Sequence, residues 1–129
     1  MAVRSVSPNG VAYFSQSEID AKFETGGLLL DAGPYKLDAG RRHGAGEVEY
    51  HEDFVDVMHV VSGTATVVTG GEMLDVREVA PGELRARALD GGWPHELREG
   101  DVFAIPNRVP HQFREVSSPF LYFVVKVEA

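Results

Sequence analysis

With no cysteine among its 129 residues, the chain excludes thiolate zinc sites, iron–sulfur clusters, disulfides and cysteine nucleophiles. Metal chemistry therefore falls to histidine and carboxylate. Five histidines are available: His43, His51, His59, His95 and His111. The run Glu47-Val48-Glu49-Tyr50-His51 alternates, so a strand would set Glu47, Glu49 and His51 on one face. Residues two apart on a strand lie about 6.6 Å apart, and such side chains can converge on one cation with bonds of about 2.0–2.2 Å. The same alternation also fits a strand with Val48 and Tyr50 in the core and its charged face in water. Asp56 shares a strand face with Met58 and Val60, while His59 points the other way with Val57 and Val61. On that apolar face His59 reads as a packed histidine with a satisfied ring nitrogen. His95, after Gly91-Gly92-Trp93-Pro94, reads as a surface or packing residue. His43 lies beside Arg41 and Arg42 in a glycine-rich stretch. Those cations read as solvated loop charge, or else as holders of an anion at a pocket mouth. No Gly-x-Gly-x-x-Gly, P-loop lysine or Gly-x-Ser-x-Gly elbow is present.

These residues need elements to position them. Fourteen glycines and seven prolines divide the chain into short pieces, the texture of an all-β domain. One helix is expected, capped by Ser15 or Ser17, with Glu18 in its first turn and Thr25-Gly26-Gly27 ending it. About ten strands should follow, including 47–51, 56–61, 102–105, 111–116 and 121–127. A hairpin is expected around Ala80-Pro81-Gly82. Short strands in series predict a two-sheet antiparallel sandwich or barrel of jelly-roll type.

Composition narrows the partners. The chain is 43% hydrophobic and 25% charged, as in soluble globular proteins, and its length suits one domain over 1–129. A formal charge of -8 would repel a phosphate backbone, so no nucleic-acid partner is expected. The longest apolar stretch, Phe120 to Val125, is far short of a membrane span. Met1 to Gly10 lacks the apolar run of a signal peptide. The expectation is a cytoplasmic protein with no membrane partner. Asp56 to Val61 is apolar on both faces, and Phe120 to Val125 is nearly continuous in apolar residues, which predicts a homodimer with sheet-to-sheet packing.

Two stretches together resemble a known family. His51-x4-Asp56-x6-Gly63, with Glu49 before it, is similar to the first motif of the cupin superfamily, over about 49–63. Gly100-Asp101-Val102-Phe103-Ala104-Ile105-Pro106-x-Arg108-x2-His111 is similar to the second, over about 100–111. The resemblance implies a single-domain cupin-type jelly-roll β-barrel with one short N-terminal helix. It also implies an interior metal site at the motif positions Glu49, His51, Asp56 and His111. Glu49 stands where the family usually has histidine, Asp56 where it usually has glutamate, and Arg108 where it has glycine. Arg108 thus suggests a changed loop conformation. The mixed N/O set suits one divalent ion: zinc, iron(II), manganese or nickel. Asp56, one methylene shorter than glutamate, is either a ligand or an acceptor for the free N–H of His51.

The expected function is a metal-dependent enzyme acting on a small organic molecule inside the barrel, of dioxygenase, isomerase, lyase or cyclase type. Glu49 or Asp56, where not ligating, would shuttle protons. Met58, Val60 and Phe113 are expected to line the pocket. The alternative is a non-catalytic small-ligand-binding or sensor protein, with or without metal.

Overall fold

The computed structural model describes residues 10–129. Most of the segment read above as lacking a signal sequence lies outside them. The chain opens with α1 (Gln16–Phe23), whose start is set by a reciprocal cap. The Ser15 hydroxyl accepts from the Glu18 amide, and the Glu18 carboxylate accepts from the Ser15 amide. Among the described residues, thirteen strands follow. They are β1 (Gly27–Asp31), β2 (Tyr35–Arg42), β3 (Val48–His51), β4 (Phe54–Ser62), β5 (Ala65–Thr69), β6 (Glu72–Leu74) and β7 (Arg77–Ala80). Then come β8 (Glu83–Ala86), β9 (Ala88–Asp90), β10 (Trp93–Leu97), β11 (Val102–Ile105), β12 (His111–Val116) and β13 (Phe120–Glu128).

The strands form a five-stranded sheet in the order β1-β2-β13-β4-β11 and a six-stranded sheet in the order β10-β5-β12-β3-β8-β7, with β6 and β9 as a separate ribbon. Every pairing is antiparallel, and β7 and β8 make the expected hairpin around Pro81-Gly82. The architecture is the all-β jelly roll expected from the turn spacing, though its two sheets do not close into one barrel.

Alternation decides what fills the space between the sheets. Met58 and Val60 from β4, Phe120, Tyr122 and Val124 from β13, and Val67 and Phe113 from the opposing sheet pack as one buried cluster. Outside the six-stranded sheet, Val48, Val68, Ala86 and Leu89 form a second cluster, with Met73 of β6 packed on it. Strand β3 is therefore covered on both sides. Val48 is buried outward while Glu49 and His51 turn inward, so the alternative with the charged face in water is corrected: it is right for Val48 and wrong for Glu49 and His51. Outside the five-stranded sheet, α1 places Phe23 on Leu29 and Ala39. Farther along that face the expectation for His59 is corrected. It points away from Asp56 as predicted, but it is exposed, because α1 packs over β1 and β2 rather than β4. Its neighbours Val61 and Val102 are also exposed, at 36% and 69%.

Gly40 is required by packing. Its cross-strand partner is Tyr122, and a Cβ at position 40 would enter that ring. Its backbone is not left-handed, so the conflict is purely steric. Gly40→Ala is expected to destabilise the protein by about 1–3 kcal/mol, the usual cost of overpacking, read as a lower melting temperature.

Candidate metal centre

Strands β3 and β12 are neighbours, and the Cα of Glu49 pairs with that of His111. This register puts Glu49, His51 and His111 on the inner face of one sheet, with His51 5% exposed and His111 2%. Each ring is oriented through Nδ1. That of His51 donates to Glu83 Oε1 at 2.7 Å, and that of His111 donates to the Val109 carbonyl at 3.0 Å. Carbonyl and carboxylate only accept, so Nδ1 carries the hydrogen and Nε2 of a neutral ring presents a lone pair inward.

The three inward groups meet. One donor atom from each of Glu49, His51 and His111 lies within 4.8 Å of the others. His51 Nε2 is 3.7 Å from Glu49 Oε1 and 3.3 Å from Asp56 Oδ2 but makes no hydrogen bond. A buried ring nitrogen left without a partner is costly, and either a proton shared with Asp56 or a metal ion would satisfy it. Burial pushes the His111 imidazolium down, which keeps the ring neutral and able to ligate. For His51 burial pushes the same way but is outweighed by Asp56 and Glu83, and its pKa is raised. A proton and a metal ion would compete for the lone pair of that nitrogen.

Asp56 reaches the centre from the opposite sheet. Its Oδ2 is 3.3 Å from His51 Nε2 and 3.7 Å from His111 Nε2, and its Oδ1 accepts from the Lys126 ammonium at 2.9 Å. Lys126 is its cross-strand neighbour on β13. Burial pushes the Asp56 carboxyl up, but His51 and Lys126 outweigh it and hold the pKa at about 2. A carboxyl held that low is ionised near neutral pH, which suits a fixed negative charge better than a proton shuttle. Glu49 is likewise lowered, with burial outweighed by Arg42 and His111. Arg42 donates to Glu49 Oε2 at 2.8 Å and to the Tyr122 hydroxyl at 2.9 Å, and its guanidinium lies 4.1 Å from the Phe113 ring centroid. Glu49 thus keeps Oε1 for the centre.

The other residues fall into place around this core. Met58, Val60 and Phe113 face inward as their alternation requires, but they are packed against Phe120 and Tyr122. A cleft of about 340 Å³ is lined in part by His51, with Glu83, Lys36, Lys126, Phe54 and Pro81 among its other walls, while Glu49 and His111 do not line it. Glu47 lies just outside β3 and pairs with Arg77 at the surface. His95 shares a hydrogen bond with Thr69 and packs on Phe103, and His43 shares one with Ser118. Arg42 is corrected from loop charge to a half-buried strand residue, because β2 extends to it. Arg108 also corrects an expectation. It adopts φ +65°, the left-handed conformation that favours glycine, and its amide bonds the His51 carbonyl at 2.9 Å. The loop therefore keeps a glycine-like backbone. Lys126, Glu83 and Tyr122 were not singled out in sequence; each meets the site through strand register, which local spacing does not reveal.

The fold has counterparts among known proteins. No family model and no curated protein sequence matches the chain. Solved structures do. A protein of Bacillus halodurans superposes with a TM-score of 0.65 at 13% identity, covering 97% of this chain and 86% of its own. A cupin-2 domain containing protein from Shewanella frigidimarina gives 0.56 at 15% identity, covering 84% and 90%. Hydroquinone 1,2-dioxygenase from a Sphingomonas species gives 0.60 at 16%, covering 81% and 65%. The chain has the cupin fold. No helix of the described residues is long and apolar enough to cross a membrane.

Proposed function

We propose that this protein is a metal-dependent enzyme acting on a small organic molecule, with His51, His111 and Glu49 holding one divalent ion. The observation that carries this reading is the buried Nε2 of His51, which lacks a hydrogen bond and faces Glu49 Oε1 in a cluster with His111. Two imidazoles and one carboxylate suit iron(II), zinc, manganese or nickel. Such an ion, when bound, supplies Lewis acidity and an open position for substrate, water or oxygen. The chain's own residues do the rest. Glu83 and the Val109 carbonyl orient the two rings, Arg42 leaves Glu49 one free oxygen, and Asp56 adds a fixed negative charge on the far side.

A second reading, a non-catalytic small-ligand-binding protein without metal, is favoured by one feature. Both carboxylates are already paired with cations, Glu49 with Arg42 and Asp56 with Lys126. Metal analysis of protein purified without a histidine tag separates the two. About one equivalent of a divalent ion per chain is expected, and Glu49→Gln should lower it. Redox-active iron would favour an oxygenase, and zinc a lyase, cyclase or isomerase. Metal-free protein that takes up no ion on titration would leave only the second reading.

A further inference from the structure

The two rings of the centre are oriented from their own sheet and the loop entering it, by Glu83 and the Val109 carbonyl, whereas Glu49 is held from the opposite sheet. Arg42 of β2 donates from Nη2 to Glu49 Oε2 at 2.8 Å and from Nε to the Tyr122 hydroxyl at 2.9 Å. The Phe113 ring covers one face of the guanidinium, its centroid 4.1 Å away. The third nitrogen, Nη1, lies where Gly46 has no side chain, and a Cβ there would stand 2.6 Å from it. Gly46 is anchored in turn, its amide donating to the Phe113 carbonyl at 3.0 Å and its carbonyl accepting from the Gln112 side chain at 3.1 Å. Tyr122 is seated on Gly40, where a Cβ would enter its ring. Two acceptors, an aromatic face and two missing side chains thus fix the plane of one guanidinium.

Charge alone does not account for this arrangement. A guanidinium beside a carboxylate weakens that carboxylate's pull on a metal ion. Any flexible cation would also neutralise Glu49. What a planar arginine adds is direction. With Oε2 engaged, Glu49 turns Oε1 toward His51 Nε2, 3.7 Å away. A carboxylate with both oxygens free can bind an ion through one of them or both. We propose that Tyr122 and Arg42 form a strut across the sandwich that restricts Glu49 to one-oxygen ligation and so keeps a coordination position open for substrate. Both are positioning residues, since neither supplies a ligand atom. The inference deepens the metal reading above and rests on it.

The chelated full chain is loaded in turn with zinc, iron(II), manganese and nickel, and X-ray absorption is recorded on the ion that binds tightest. The distance from the ion to the carboxylate carbon separates the two modes, being shorter when both oxygens bind. The longer distance is expected in the parent protein. Tyr122→Phe keeps the ring and every charge but removes the acceptor of Arg42 Nε. Gly46→Ala pushes Nη1 aside without touching a ligand. Each should bring in the shorter distance at unchanged metal stoichiometry, and either suffices should the other fail to fold. Arg42→Lys should do the same, because an ammonium keeps the charge and loses the planar pair of donors. Loss of stability alone would not move that distance. A loaded parent that already shows the shorter distance, or variants that keep the longer one, overturns the inference and leaves the metal centre standing. Parent-like spectra in Arg42→Lys would reduce Arg42 to a counter-charge and overturn it as well. Protein that takes up none of the four ions removes the metal reading and the inference with it.

Discussion

His51→Ala and His111→Ala should each empty the centre. Either variant removes one of three groups able to ligate a metal. Losing an outer partner such as Glu83 costs about 10–100-fold in metal affinity, and loss of a ligand itself should cost more. The expected result is metal content near background in both variants. His59→Ala, made on the exposed outer face of β4, should retain the parent's metal content. Elemental analysis checks all three on the same day's protein. Full metal content in His111→Ala would show that the ligand set has been drawn on the wrong residues.

The second large effect concerns stability. The Asp56 side chain is 3% exposed, and its charge is held by Lys126 together with His51. Lys126→Met deletes the cation and leaves the carboxylate buried. Breaking a buried pair in this way costs about 3–5 kcal/mol, mostly the penalty of the orphaned charge. Adding Asp56→Asn to the same chain should restore much of the loss, since neither charge then remains. Denaturant melts of metal-free protein read both steps. A single variant as stable as the parent would mean that Asp56 finds its compensation elsewhere.

These two results probe what was legible in the sequence and what was not. The alternation of Glu49 and His51, and of Asp56, Met58 and Val60, is a property of each strand alone and shows which side chains share a face, but that the Glu49–His51 face turns inward came only from the two-motif resemblance. His111 could be joined to them only through the two-motif resemblance, because sixty residues separate it from His51. The partners that tune the centre were hidden for a related reason. Lys126 meets Asp56 and Glu83 meets His51 only because β13 pairs with β4 and β8 with β3 in one particular register. His59 shows the opposite failure. Its strand is apolar on both faces, but a pattern of that kind cannot say which face a neighbouring element covers, and α1 covers a different part of the sheet. Arg108 was misjudged because side-chain identity was taken to set the backbone. Hydrogen bonding to the His51 carbonyl holds its left-handed turn instead.

The three prospective ligands all ride on β3 and β12, neighbouring strands of one sheet, while Asp56 and Lys126 belong to the other. A change in the spacing of the two sheets would therefore move the Asp56–Lys126 pair relative to the histidines while leaving the distances within the ligand triangle unchanged. The candidate ligands and the charge that faces them thus rest on separate layers of the sandwich.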